Sequence, residues 1–408
     1  MKLNYDLLHV VMLYLERPQD LLPVMHTCRS MYEIGIPLLL RHTTYLPEME
    51  ENRLLRHFLL SNPSRFIHVI RLTCVYSDLH YHWKDAPPSL LPDFIRLSTR
   101  LQFLDLRVTS SKPEYPVKLK AEDIAPIALL PDLKHLKISG PISVSNLLHA
   151  LTAPIKSLEI HRHEPGYAHP DAPILYDPLS SIAHLSGSLE SFSFITNGPA
   201  DSNSIFTPGH HFPSMRKLEW VSWSPINMGV LASTFPNLES LTVDFNSTSL
   251  RRPRALSFAQ MQVFRQQNHT NDTLHYLCHL KGSILSLWVL GIRCHVELLE
   301  FPTKICWSWG IPASIAEELL AAIRPSRLRL SSSSGDNAVI KTTESIEKME
   351  GRLIVFETLE ELELSFVVAD HEVARTAKYL VRFLARGIRF ISNPLYRKAS
   401  SSKEIGSH

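Results

Sequence analysis

An apolar-x-x-apolar-x-apolar motif recurs along most of the chain, a helix-like run precedes most of its copies, and apolar spacing of three and four marks the N-terminus. Together these predict an α/β fold: a leucine-rich-repeat solenoid, with a parallel sheet and outer helices, preceded by a small all-α three-helix module. The composition agrees. Of 408 residues 44% are hydrophobic and 20% charged, with 14 glycines, which excludes collagen-like, disulfide-scaffold and wholly disordered chains.

The N-terminal module comes first. Leu3, Leu7, Val10, Val11, Tyr14 and Leu15 wrap an apolar stripe around one side of a helix. Pro18 pushes Arg17 out of helical geometry and ends it, and Asp20 can cap the next helix. That short second helix runs through Leu21, Leu22 and Met25. A third, from near Thr27, carries Cys28, Met31, Tyr32, Ile34, Leu38 and Leu39, and Pro37 is expected to strain or end it. Helices this small cannot bury every apolar side chain they carry, so part of that surface is expected to meet a partner or the rest of the chain. Lys2 ahead of an apolar run imitates a secretion signal, but Asp6 and His9 interrupt the run and no small-residue cleavage site comes after it. No stretch reaches the ~18 apolar residues of a membrane span.

Behind the module come the repeats. Copies of the motif read Ile67/Ile70/Leu72, Leu101/Leu104/Leu106, Leu133/Leu136/Ile138, Ile155/Leu158/Ile160, Leu189/Phe192/Phe194, Met215/Leu218/Trp220, Leu238/Leu241/Val243, Ile284/Leu287/Val289 and Leu359/Leu362/Leu364, with a degenerate copy at Leu328/Leu330. The last three positions alternate with period two, the signature of a strand buried on one face. Helix-like runs lie at 90–97, 124–130, 144–151, 179–185, 228–232 and 315–323, with Ser143 and Ser314 as candidate N-caps. Strand and helix in alternation require a parallel sheet, and a motif returning at a mean interval of about 32 residues favours a solenoid over a doubly wound sheet.

Side chains between the apolar positions face away from the core, on the concave side of such a sheet. Phe103, Asp105, Arg107, His135, Lys137, Glu159, His161 and Trp288 occupy such positions and are the candidate binding residues. Exposed aromatics are the usual anchors of an interface, which singles out Phe103 and Trp288. Asp105, Lys137 and Glu159, at a strand spacing of ~4.8 Å, are expected to form a ladder of alternating charge.

Other segments have no motif of this kind. Arg251 to Arg254 and the Gln-rich stretch ending at Asn268 read as an inserted loop and helix, and Ser331 to Asn337 as a polar low-complexity loop. Val373, Ala377, Leu380, Val381 and Leu384 predict a helix that caps the array, and 397–408 a disordered tail. Lys+Arg 42 against Asp+Glu 40 leaves net +2, too little to argue for nucleic acid or a membrane surface. Five scattered cysteines without a Cys-x-x-Cys pair predict neither disulfides nor zinc and suit a reducing compartment. The His80/His82, His161/His163 and His210/His211 pairs lack the further ligands of a metal site, and no phosphate-loop, dinucleotide, nucleophile-elbow or His-Glu-x-x-His motif is present. The expectation is a chain without cofactor or catalytic chemistry.

Leu3-Asn4-Tyr5-Asp6-Leu7-Leu8, Asp20-Leu21-Leu22, Cys28-Arg29-Ser30-Met31-Tyr32 and Gly35-Ile36-Pro37-Leu38-Leu39-Leu40-Arg41 together resemble the F-box, in the form found in fungal F-box proteins with irregular leucine-rich repeats. Asn4 stands where that family usually has proline, and Met31 or Tyr32 where it often has tryptophan. The resemblance covers residues 1–45 and implies a division into an F-box-like module (1–45), a repeat domain (46–396) and a tail (397–408). It further implies a substrate-recognition subunit of a Skp-cullin-F-box ubiquitin ligase in the cytoplasm or nucleus, with no enzymatic activity of its own. The Skp adaptor would be bound through Leu3, Leu7, Leu8, Val11, Leu15, Leu21, Leu22, Met25, Pro37 and Leu38, and a protein substrate through the outward residues of the repeats. The alternatives are a leucine-rich-repeat interaction scaffold outside ubiquitination and, more remotely, an α/β enzyme.

Overall fold

The computed structural model describes residues 5–15, 17–41, 43–46, 53–77, 91–109, 117–162, 177–196, 208–222, 225–245, 258–269, 274–302, 313–332, 360–366 and 389–392. Two compact units divide at Ser224/Pro225.

The first unit opens with α1 (Tyr5–Leu13), α2 (Pro18–Met25) and α3 (Arg29–Arg41). Arg17 is extended (φ −102°, ψ 131°) and Pro18 begins α2, as the sequence predicts. Gly35 sets the approach of α3 to α2, because a Cβ there would lie 2.2 Å from Met25 Cγ. Pro37 does not end α3, which continues to Arg41. The lost backbone bond costs about 3 kcal/mol in a helix interior, and burial of Ile36, Leu38 and Leu40 around it offsets that cost. α3 then contacts a 3-10 turn at Pro63–His68, whose Asn62 side chain accepts from Ser64 N at 3.2 Å, and α4 (Arg53–Leu60) meets the same turn.

The sheet of this unit contains β1 (Thr43–Leu46), β2 (Arg71–Ser77), β3 (Phe103–Thr109), β5 (His135–Gly140), β7 (Ser157–Arg162), β8 (Ser191–Thr196) and β9 (Lys217–Val221), side by side in chain order. A two-stranded pair, β4 (Val117–Lys118) and β6 (Ile142–Ser143), lies apart from it. Each neighbouring pair is parallel. α5 (Leu91–Leu97), α6 (Ala121–Ala128), α7 (Ser145–Ala150) and α8 (Pro178–Ile182) connect successive strands, each helix contacting the next. A doubly wound sheet would reverse its strand order partway; this one does not.

Register turns the sequence motif into two buried columns. Leu72, Leu104, Leu136, Leu158, Phe192 and Leu218 form one, and Cys74, Leu106, Ile138, Ile160, Phe194 and Trp220 the other. The second column ends in an aromatic contact, with Phe194 and Trp220 centroids 4.7 Å apart. Its first copy differs from the predicted Ile67/Ile70/Leu72. Ile67 is exposed and Val69 buried, so the motif runs Val69/Leu72/Cys74, with a cysteine serving as a small apolar residue. Neither predicted serine N-cap forms: Ser143 lies in β6 beside a Val144 cap position, and Ser314 lies inside a helix of the second unit. Asp177 and Asn227 cap instead, accepting from Leu179 N and Val230 N.

The second unit repeats the same plan. Its strands are β10 (Ser240–Asp244), β11 (Tyr276–Gly282), β12 (His295–Phe301), β13 (Arg327–Ser332), β14 (Glu361–Phe366) and β15 (Arg389–Ser392), again parallel and in chain order. α9 (Met228–Thr234), α10 (Phe258–His269), α11 (Ile284–Leu290) and α12 (Ala313–Ile323) accompany them.

Ile284/Leu287/Val289, expected as a strand, belong to α11. Ser283 Oγ caps this helix by accepting from Ser286 N, and Gly291 ends it with φ +63°. The flanking strands β11 and β12 keep the motif's own spacing in their buried positions, Leu277/Leu280/Gly282 and Val296/Leu299/Phe301, with Leu277 opposite Val296 and Leu280 opposite Leu299. The true copies of the motif here are thus a complete one in β12 and, in β11, one whose third position is taken by Gly282. The Arg251–Arg254 loop, residues 333–337, the capping helix at 373–384 and the tail at 397–408 lie outside the described residues.

Candidate functional site

Two sides of α1 do different work. Met12 is buried with Leu21, Met25 and Met31, while Leu8 and Leu15 are half-buried on the same side. Leu7, Val10, Val11 and Tyr14 recur at the opposite helical spacing and are exposed, from 46% at Val10 to 80% at Tyr14. Leu22 on α2 is exposed too. Of the residues expected to bind the adaptor, Leu7, Val11 and Leu22 therefore stand free at the surface. Leu21, Met25 and Leu38 are core residues, because three small helices need them to hold together, and Pro37 is half-buried. Leu3 lies outside the described residues.

The second surface is the side of the first unit's sheet facing away from the two buried columns. Three rows of side chains cross it in register: Arg71, Phe103, His135, Ser157, Ser191 and Lys217; Thr73, Asp105, Lys137, Glu159, Ser193 and Glu219; Val75, Arg107, Ser139, His161, Ile195 and Val221. Phe103 is half-buried between the Arg71 guanidinium, 5.9 Å from its ring centre, and the His135 ring at 6.1 Å. Lys137 Nζ donates to Glu159 Oε2 at 2.7 Å, the predicted cross-strand pair, and His161 Nε2 lies 3.8 Å from the same carboxylate. Further along, Ser193 donates to Glu219 at 2.7 Å.

Asp105 departs from expectation. It points to this side but is only 3% exposed. Its Oδ2 accepts from Arg107 Nε and Nη2 at 3.0 and 2.9 Å, so the ladder's first pairing runs along β3 rather than across to Lys137. Oδ1 is buried with no hydrogen-bond partner.

Trp288 is the other correction. Because its segment is helical, its indole is buried, 5% exposed, between the Phe258 ring (5.6 Å, nearly parallel) and the Arg265 guanidinium (4.6 Å), and donates to Glu318 at 2.8 Å. It supports the helix layer and offers no contact to a partner on the sheet.

The equivalent side of the second unit carries a cluster that motif reading missed. Glu300 on β12 is buried between Lys281 on β11 and Arg329 on β13, its register partners, with His279 Nε2 3.4 Å from Oε2 and Arg329 Nη1 at 3.3 Å. The His279 contact foremost, with Lys281 adding to it, holds the carboxyl down to about 2 against burial, which pushes the other way. Glu297, one strand position off the motif, pairs with Arg327 and accepts from Tyr276 Oη at 3.1 Å.

Among the described residues no group of three or more His, Cys, Asp or Glu is arranged to hold a metal, and no helix is long and apolar enough to cross a membrane. Burial pushes the Cys294 thiol up to about 12, which keeps it protonated at neutral pH. No protein-family model matches the chain, and no curated protein matches its sequence.

Proposed function

We propose that the chain is the substrate-recognition subunit of a Skp-cullin-F-box ubiquitin ligase, working in the cytoplasm or nucleus: an F-box-like module followed by an irregular leucine-rich-repeat solenoid. It binds the Skp adaptor through the outer stripe of its first helix and a protein substrate on the open side of the sheet, and it raises the substrate's effective concentration near the transfer machinery. The observation that carries this reading is the exposed stripe Leu7, Val10, Val11 and Tyr14, continued by Leu22, on a module whose own core is already filled by Met12, Leu21, Met25 and Met31. Apolar surface this contiguous is what an obligate partner covers. The strand motif, its chain-order register and the outward-facing rows across the strands support the solenoid half of the reading.

Co-expression with a Skp-type adaptor tests it. Full-length protein should co-purify with the adaptor, and Leu7→Asp should abolish capture while leaving the circular dichroism spectrum intact, since burying a leucine is worth about 1.5–3 kcal/mol and an aspartate adds a desolvation cost. Wild-type protein that fails to hold the adaptor at micromolar concentration would leave the chain a repeat scaffold outside ubiquitination.

A further inference from the structure

We infer that the open side of β2, β3 and β5 recognises a short acidic peptide segment with an apolar side chain at its centre; this names the substrate class and rests on the recognition role proposed above. The charges that reach solvent select such a ligand. Arg71, Arg107 and His135 are exposed, and Arg71 forms no ion pair among the described residues. The carboxylate beneath them, Asp105, is buried and already accepts two N–H bonds from Arg107, so it presents almost no anionic surface. Glu159, on the next strand, is neutralised by Lys137. Among the described residues what remains outward is the Arg71 and Arg107 guanidinium groups, with the half-buried Phe103 ring at the centre, flanked in one row by Arg71 and the His135 ring as a further N–H donor.

The spacing sets the shape of the ligand. Two strand intervals separate Arg71 from His135, roughly 10 Å, and an extended peptide advances about 3.3 Å per residue. Because side chains of an extended peptide alternate sides, carboxylates four residues apart, about 13 Å, reach the flexible Arg71 guanidinium and a His135 ring N–H, and the side chain midway between them falls on Phe103. The patch is also bounded. Glu159, Glu190 and Glu219 lie on or just before β7, β8 and β9, and Lys156 is already engaged with Glu190 at 2.7 Å. This change of sign limits the site to three strands, which fits a short acidic segment and disfavours a long polyanion such as nucleic acid.

The test uses full-length protein and a fluorescein-labelled peptide of about twelve residues, rich in Glu with one central Phe, read by fluorescence anisotropy. Binding is expected to weaken by about tenfold or more in Arg71→Glu and, separately, in His135→Glu, and by a similar factor between about 0.05 and 0.5 M salt. Lys217→Glu, in the same row but on β9, should leave affinity unchanged. Equal binding of the Gln-for-Glu peptide, indifference to both charge reversals, or tighter binding of a single-stranded oligonucleotide of matched charge would each overturn the inference. Adaptor capture is scored in the same preparations. Capture without peptide binding sinks this inference alone, whereas Arg71-dependent peptide binding without capture upholds it and sinks the ligase reading.

Discussion

On the open side of each unit's sheet one carboxylate is buried, and the two are satisfied differently. Asp105 is short, so only its strand neighbour Arg107 folds back onto it and Oδ1 stays unpaired. Glu300 is one methylene longer and sits between a lysine and an arginine on flanking strands, whose side chains converge on both of its oxygens. Holding its carboxyl down to about 2 against an ordinary 4.5 makes its charged form a stabilising element at neutral pH. Because the folded value is the depressed one, this contribution is complete above about pH 5 and is lost as pH falls from 4.5 towards 2. Glu300→Gln should therefore be less stable than wild type at about pH 7, with the gap closing across that acid range in urea titrations. A gap that stayed constant with pH would show that Glu300 contributes by packing and not by charge.

At the scale of elements, the inserted helix α10 holds its place with polar side chains where a helix usually has apolar ones. Its inward face is Met261, Arg265 and Asn268. Asn268 donates to the carbonyls of Ile226 and Val289 at 3.2 and 3.1 Å and accepts from Met228 N at 2.9 Å, while Arg265 donates to the Trp288 carbonyl and to Glu318. Asn268→Ala would strand three buried backbone groups, each costing about 1–3 kcal/mol when unpaired. A loss of about 3 kcal/mol or more is expected from the shift in urea midpoint at constant slope; Gln262→Ala, on the exposed face, should be neutral. A neutral Asn268→Ala would mean that water replaces the amide. This helix also marks where the sequence stops being legible. Its existence could be read from the Gln-rich run, but its function as a clamp could not, since its partners lie 21 to 53 residues away and its inward face carries no hydrophobic period. Strands β2, β3, β5 and β7 to β10 were legible because their buried positions keep strict alternation, whereas the two-residue strands β4 and β6 are too short to show a period. β11 was not, because Gly282 takes the third apolar position of its copy, and α11, apolar on every side, satisfied the strand motif by coincidence in place of Val296/Leu299/Phe301 on β12. The binding residues divide in the same way: alternation gives the direction of Asp105 correctly, yet direction alone does not report that Arg107 closes over it.

Across the molecule, the chain-order main sheet within each unit means that a strand's partners there are near neighbours in sequence, so the fold's specificity is local and no distant charge pattern is needed to define it. That leaves net charge free to be small, and it is: 42 Lys+Arg against 40 Asp+Glu, with a pI of about 8.2. Near that pH molecules have almost no mutual repulsion, and the exposed stripe Leu7, Val10, Val11 and Tyr14 is free to associate. Below its pI a chain gains net positive charge as pH falls. Acidification from about pH 8 to about pH 6 should therefore add many positive charges and raise repulsion between molecules. The isolated chain is expected to self-associate most strongly near pH 8 and to disperse towards pH 6, measured as the second virial coefficient by static light scattering. Leu7→Asp should flatten that dependence by removing the apolar contact at its source, and association that is unchanged in this variant would place the sticky surface elsewhere than on the first helix.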